Sequence, residues 1–85
     1  MSTKQLLKDL VKVKLNQYQI QALTSFIEDR GISAFKNSTL LKFINKNELD
    51  MVPAELLRWT VENGRTNTSL VQLRSKEIEL FTKQT

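Results

Sequence analysis

Apolar positions return every three or four residues along most of this chain, and one short stretch alternates instead. Leu6, Leu7, Leu10 and Val11 keep helical spacing, after which Val11, Val13 and Leu15 alternate with Lys12 and Lys14. That change of period predicts a short helix or irregular arm that becomes extended near Lys12. Residues 1–3 ahead of it are expected to fray. Asn16 opens the clearest early helix: Asn16 and Gln19 have capping-box spacing, and Leu15 and Ile20 occupy the positions of a hydrophobic staple. Ile20, Leu23, Phe26 and Ile27 form its inward stripe, and Gly31 ends it. Asp29 opposes the helix dipole at that end, and a hydrogen bond to the following loop would account for it.

Beyond Gly31, Ile32 and Phe35 are predicted to enter the core from a single turn. Asn37 or Ser38 caps a short helix that faces Leu40, Leu41 and Ile44 inward, with Phe43 on a flank. Residues 45–48 form a turn, Asp50 caps the next helix, and Pro53 sits in its first turn, where a missing N–H costs little. This helix is expected to run through Trp59 to Asn63, stopped by Gly64. After the polar run Arg65 to Ser69, Ser69 and Gln72 have the spacing to cap a last helix ending near Phe81. Arg74 and Glu77, three apart on it, read as a helix-edge salt bridge worth a few tenths of a kcal/mol. The pattern predicts an all-α compact bundle of four to five short helices, with Tyr18, Phe26, Phe35, Phe43, Trp59 and Phe81 as its large core pieces.

At 85 residues the chain makes one domain, and burial of about 60–65% of its extended surface favours a compact helical core over a large sheet. The chain contains neither cysteine nor histidine. No disulfide or thiolate metal site is therefore available, and the commonest metal ligand and neutral-pH base are missing. No cofactor and no metal are expected. No apolar run is long enough to span a membrane, and Met1-Ser2-Thr3-Lys4 reads as a natural start without a secretion signal. The charge is +4, with Lys4, Lys8, Lys12 and Lys14 set against Asp9 alone in the first stretch. Such a group is either a solvated face or a footprint for a polyanion.

Candidate chemistry is sparse. Glycoside cleavage needs two carboxyl groups about 5–9 Å apart across a substrate, and Glu48, Asp50, Glu55 and Glu62 read as solvated helix caps and edges. A Ser–Lys nucleophile among Ser38, Lys42, Ser75 and Lys76 has only proximity in sequence behind it. Trp59 can stack on a sugar or base, yet core or domain-edge packing explains it as well. A helix-turn-helix at 16–44 would place few base-reading side chains on its second helix.

The stretches LVKVKLNQYQIQALTSFIEDRG (10–31), AFKNSTLLKFIN (34–45), ELLRWTVENGR (55–65) and SLVQLRSKEIELF (69–81) resemble the C-terminal lobe of phage-type lysozymes, the glycoside hydrolase family 24 muramidases, over about residues 10–82. Arg58 and Trp59 match an arginine–tryptophan pair of the family, and Glu77 keeps an acidic position. Asp29 departs from the family's asparagine, and Gly64 alone remains of a double glycine. The resemblance implies a helical lobe at 10–85 forming one wall of a peptidoglycan cleft, preceded by a basic arm or short helix at 1–9. It places the catalytic glutamate, with an aspartate or cysteine at a fixed distance and then a threonine, in an N-terminal lobe. Nine residues beyond Glu28, Glu48, Glu55 and Glu62 stand Asn37, Leu57, Gly64 and Val71, so no matching pair occurs in this sequence.

The expectation is a noncatalytic phage or prophage lysozyme-like protein acting as a protein-interaction module in the cytoplasm of a bacterial host. The alternatives are a peptidoglycan-binding remnant or part of a split endolysin, and a basic module for nucleic acid or a nucleic-acid-associated host protein. The partner is then a protein or a second copy, with weak peptidoglycan or nucleic-acid binding as the other options. The candidate surface comprises Lys4, Lys8, Lys12, Lys14, Arg58, Trp59, Arg65 and Arg74. Leu6, Leu7 and Leu10 have two destinations: folded onto the lobe, which implies a monomer with a functionally bland surface, or exposed, which implies self-association or capture of a partner. An interaction surface is the expectation.

Overall fold

Side-chain caps decide where most of the helices begin. In the computed structural model, which describes residues 2–83, the Ser2 side chain accepts from the Gln5 N–H and opens α1, Thr3–Leu10. Met1, included above among the fraying residues, lies outside the described residues, as do positions 84 and 85 of the helical domain. Ser2 and Thr3, also expected to fray, form the cap and first residue of α1, where the Ser2 side chain satisfies an otherwise orphaned N–H. Asn16 and Gln19 form the complete capping box that starts α2, Gln17–Arg30. Gly31, at φ 95°, then separates α2 from α3, Ile32–Lys36, in a conformation that glycine adopts without strain. Ser38 caps α4, Thr39–Asn45, by accepting from the Leu41 N–H.

The next two caps differ from expectation. Asp50 lies inside a single 3-10 turn, Leu49–Met51, and α5, Val52–Leu57, has no side-chain cap at all, although Pro53 does fall in its first turn. The last helix, α6, Thr68–Thr82, is capped by Asn67, whose side chain accepts from Leu70 N–H. Ser69 is therefore inside the first turn rather than ahead of it.

The largest departure lies between α5 and α6. The helix expected to reach Asn63 ends at Leu57, passes through a 3-10 turn at Arg58–Thr60 and leaves helical geometry at Trp59. A small antiparallel hairpin follows, β1 Val61–Glu62 and β2 Arg65–Thr66, pairing Val61 with Thr66 and Glu62 with Arg65. Asn63 and Gly64 are both left-handed, at φ 54° and 78°. This is the geometry a two-residue type I′ turn demands, and Asn-Gly is its preferred sequence. The dipeptide thus turns a hairpin instead of stopping a helix.

The described residues contain six α-helices and one small hairpin, an all-α lobe with α2 at its centre. One side of α2 packs against α6 and another against α1. The core comprises Ala22, Leu23, Phe26 and Ile27 of α2, Phe35, Leu40, Leu41, Ile44, Val52 and Leu56 from the middle of the chain, Phe81 of α6, and Leu7 of α1. Leu7 is 1% exposed, so α1 shares the core of the lobe, a burial worth about 1.5–3 kcal/mol. Of the six aromatic residues expected to form the core, Phe26, Phe35 and Phe81 are fully enclosed, while Tyr18, Phe43 and Trp59 are half-buried at its edge.

The segment between α1 and α2 is extended and is held from a distance. Asn45, at the end of α4, accepts from the Lys12 N–H at 2.7 Å and donates through Nδ2 to the Leu10 carbonyl at 3.1 Å. One amide side chain thereby satisfies two backbone groups that no helix or strand can serve.

Candidate functional site

Polar residues, not leucines, take the innermost stripe of α6. Arg74, Glu77 and Phe81 are its buried positions, whereas Leu70, Leu73, Ile78 and Leu80 are half-buried beside them. Arg74 is 0% exposed and Glu77 1%. Arg74 donates from one terminal nitrogen to Glu77 Oε1 at 2.6 Å and from the other to Asp29 Oδ2 of α2, and its guanidinium lies 4.9 Å from the Phe26 ring centre. Ser25 donates its hydroxyl to the remaining oxygen of Glu77, Oε2, at 2.6 Å. Arg74 Nε is enclosed with no acceptor.

This cluster overturns two local expectations. The Arg74–Glu77 pair is not a helix-edge bridge, because no water reaches it, and Asp29 bonds to Arg74 across the seam instead of to the loop after its own helix. A cation buried in this way requires paired and hydrogen-bonded carboxylates, or its desolvation would cost several kcal/mol. Burial pushes the Glu77 carboxyl above the usual carboxylate range; the Ser25 hydrogen bond and the charge of Arg74 pull it back without cancelling the effect. Nothing local in the sequence joins Asp29 to Arg74, which stand 45 residues apart. The available signal was an acid at the wrong end of a helix, opposing the dipole without a partner in view.

Trp59 lies near the same cluster, against Phe26. Its ring meets Phe26 edge-on, with centres 5.3 Å apart and planes at 82°, and the Arg30 guanidinium stands 5.8 Å from it. Beside it runs an open groove of about 340 Å³ lined by Arg30, Thr39, Glu55, Arg58, Trp59 and Val61. Glu55, read from the sequence as solvated, is 7% exposed. It accepts from the Thr39 hydroxyl and faces Arg58 at 3.5 Å. Burial of this α5 face with α4 supplies the reason, and Thr39 the compensating hydrogen bond.

The candidate surface divides. Lys4 and Lys8 are exposed one turn apart on α1, and Lys12 and Lys14 are exposed on the extended segment after it. Lys8 and Lys14 come together at a groove of about 210 Å³ whose other lining residues are Leu7, Val11, Val13, Leu15 and Ile20. Arg58 and Arg65 are exposed near the hairpin, and Trp59 is half-buried. Arg74, grouped with these from the sequence, is fully enclosed and offers no atom to a surface. Among the described residues no cluster of three or more potential metal ligands occurs, and no helix is long and apolar enough to cross a membrane.

A family model described as phage lysozyme matches residues 1–77. This chain belongs to the phage lysozyme family. The match begins ahead of Leu10 and takes in residues 1–9. The endolysin of Bacillus phage PZA is 36% identical over 75 residues, an alignment covering 88% of this chain and 29% of that protein. The SAR-endolysin of Escherichia phage Mu is 35% identical over 72 residues, covering 85% of this chain and 42% of its own length. Among solved structures, the muramidase domain of SpmX from Asticaccaulis excentricus superposes with a TM-score of 0.89 at 29% identity, covering 96% of this chain and 58% of that one. The chain therefore spans less than half the length of these two endolysins. In this phage lysozyme lobe Asp29 is the residue that brings the second carboxylate to Arg74.

Proposed function

We propose that this chain is a noncatalytic phage lysozyme lobe that works as a protein-interaction module in the cytoplasm of a bacterial host. The observation that supports the reading most directly is the structural commitment of Glu77, Asp29 and Glu55. Glu77 and Asp29 neutralise Arg74, and Glu55 is held by Thr39 and Arg58. A general acid for glycoside cleavage must instead present its proton across a cleft to a second carboxylate about 5–9 Å away. Structural use of these three acids argues against each of them as the general acid of such a pair.

A turbidity assay on permeabilised cells tests the reading, with a full phage lysozyme as control. The expected result is no lysis by the purified chain. Turnover that disappears on Glu55→Gln or Glu77→Gln, with the fold retained, would overturn it.

A second reading, weak affinity for peptidoglycan, is favoured by the groove beside Trp59. A half-exposed indole with Arg30 and Arg58 near it offers a stacking face and donors for a carboxylated glycan. Sedimentation with purified cell walls distinguishes the two: binding lost in Trp59→Ala supports the glycan reading.

A further inference from the structure

We infer that the groove between α1 and α2 is a docking site for an acidic amphipathic helix of a partner protein. The inference builds on the protein-interaction reading and names its surface. Leu7, Val11, Val13 and Ile20 give the groove a buried or half-buried apolar floor, and the exposed Lys8 and Lys14 stand at its rim. No acidic residue lines it. Its volume of about 210 Å³ admits a few aliphatic side chains. A helix that presents leucines at i and i+4 with glutamates beside them would satisfy both parts at once, the leucines in the floor and the carboxylates against the lysines.

The shape discriminates between anionic partners. A flat bilayer cannot reach an apolar floor recessed between two cations, because membrane insertion needs apolar side chains that protrude. Duplex DNA would use the lysines and leave the floor empty, since its affinity comes from phosphates. A helix side chain can enter the recess. The groove is also built in advance: Leu7 anchors α1 in the core, and the two Asn45 hydrogen bonds fix the segment carrying Val11 and Val13. Such preorganisation lowers the ordering cost of binding.

The test uses the whole chain and a fluorescent 14-residue peptide with leucines at i and i+4 flanked by glutamates. Three controls accompany it: the same peptide with lysines for glutamates, phosphatidylglycerol vesicles, and duplex DNA. Binding of the acidic peptide is expected to shift the methyl resonances of Leu7, Val11, Val13 and Ile20, to weaken with salt, and to fall at least tenfold in the double variant K8E/K14E. That variant should instead take the lysine peptide. Should it fail to fold, K8Q/K14Q serves, with the acidic peptide weakened and the lysine peptide still excluded. Absence of peptide binding, binding indifferent to these substitutions, tighter binding to vesicles or DNA, or occlusion of the groove by self-association would each overturn the proposal. The lysis assay is independent of this groove, so failure here and failure of the noncatalytic reading are separable.

Discussion

The α2–α6 seam and the α1 arm both carry concentrated charge, and they treat it in opposite ways. In the seam one arginine is withdrawn from water and shared by two carboxylates with a serine behind them. On the arm and its extended continuation four lysines remain in water. The difference follows from what covers each region. Two long helices close over the seam, so a charge there must be matched internally. Little covers the arm, so its charges keep their hydration and remain available to another molecule. Charge in the seam therefore specifies how helices meet, and charge on the arm is free to specify a partner.

The sharpest way to break this contrast is Arg74→Met. The variant buries Glu77 beside no cation and should lose about 3–5 kcal/mol in urea unfolding; a loss below 1 kcal/mol would make the seam no different from a surface pair. Leu7→Ala tests the arm's own anchor and should cost about 2–5 kcal/mol, the range for emptying a buried leucine site. Asn45→Ala removes two hydrogen bonds and should cost about 1–2 kcal/mol. Its signature is faster hydrogen exchange at Lys12 with the seam amides unchanged.

A smaller effect is expected from pH. The folded-state pKa of Glu77 is raised above its ordinary 4.5, so the folded chain holds that proton more tightly than the unfolded one. Its contribution to stability is complete below 4.5 and is lost as pH rises through the raised folded value. Glu77→Gln should flatten the dependence of Tm on pH in that window, and an unchanged slope would remove Glu77 as its source. Smallest of all, K8E/K14E should change stability by no more than about 0.5 kcal/mol, as for other exposed positions, and a larger loss would show that the arm's charges are structural after all.

Sequence periodicity is enough for the inward stripe of α4 and for Leu23, Phe26 and Ile27 of α2, because a helical face repeats where its burial repeats, although it misses the buried Ala22 and Ile20 is only half-buried. The capping box at Asn16 and Gln19 was legible for the same reason: both members lie within one turn. What escaped was chemistry carried across distance. Asp29 and Arg74, Thr39 and Glu55, and Asn45 and Lys12 are each joined by the tertiary fold, and no local spacing encodes their meeting. The hairpin escaped for a different reason. Asn-Gly serves both as a helix stop and as a type I′ turn, and only the paired strands at Val61–Glu62 and Arg65–Thr66 decide between them. At the candidate surface, the lysines were visible as a group, but their division into a groove rim at Lys8 and Lys14 and free positions at Lys4 and Lys12 required the turn into extended backbone after α1.

The pairing of α2 with α6 sets an order on the nascent chain. The apolar face of α2 leaves the ribosome well before Arg74 and Phe81 exist to cover it, since Thr68 comes 38 positions after Arg30. At about 5–20 residues per second, that interval lasts roughly 2–8 s. By its end, α1, α3 and Trp59, which meets Phe26 edge-on, are the partners of α2 already made. The arm packs on α2 elsewhere, so it reduces the apolar surface exposed during synthesis to the face that the last helix later closes.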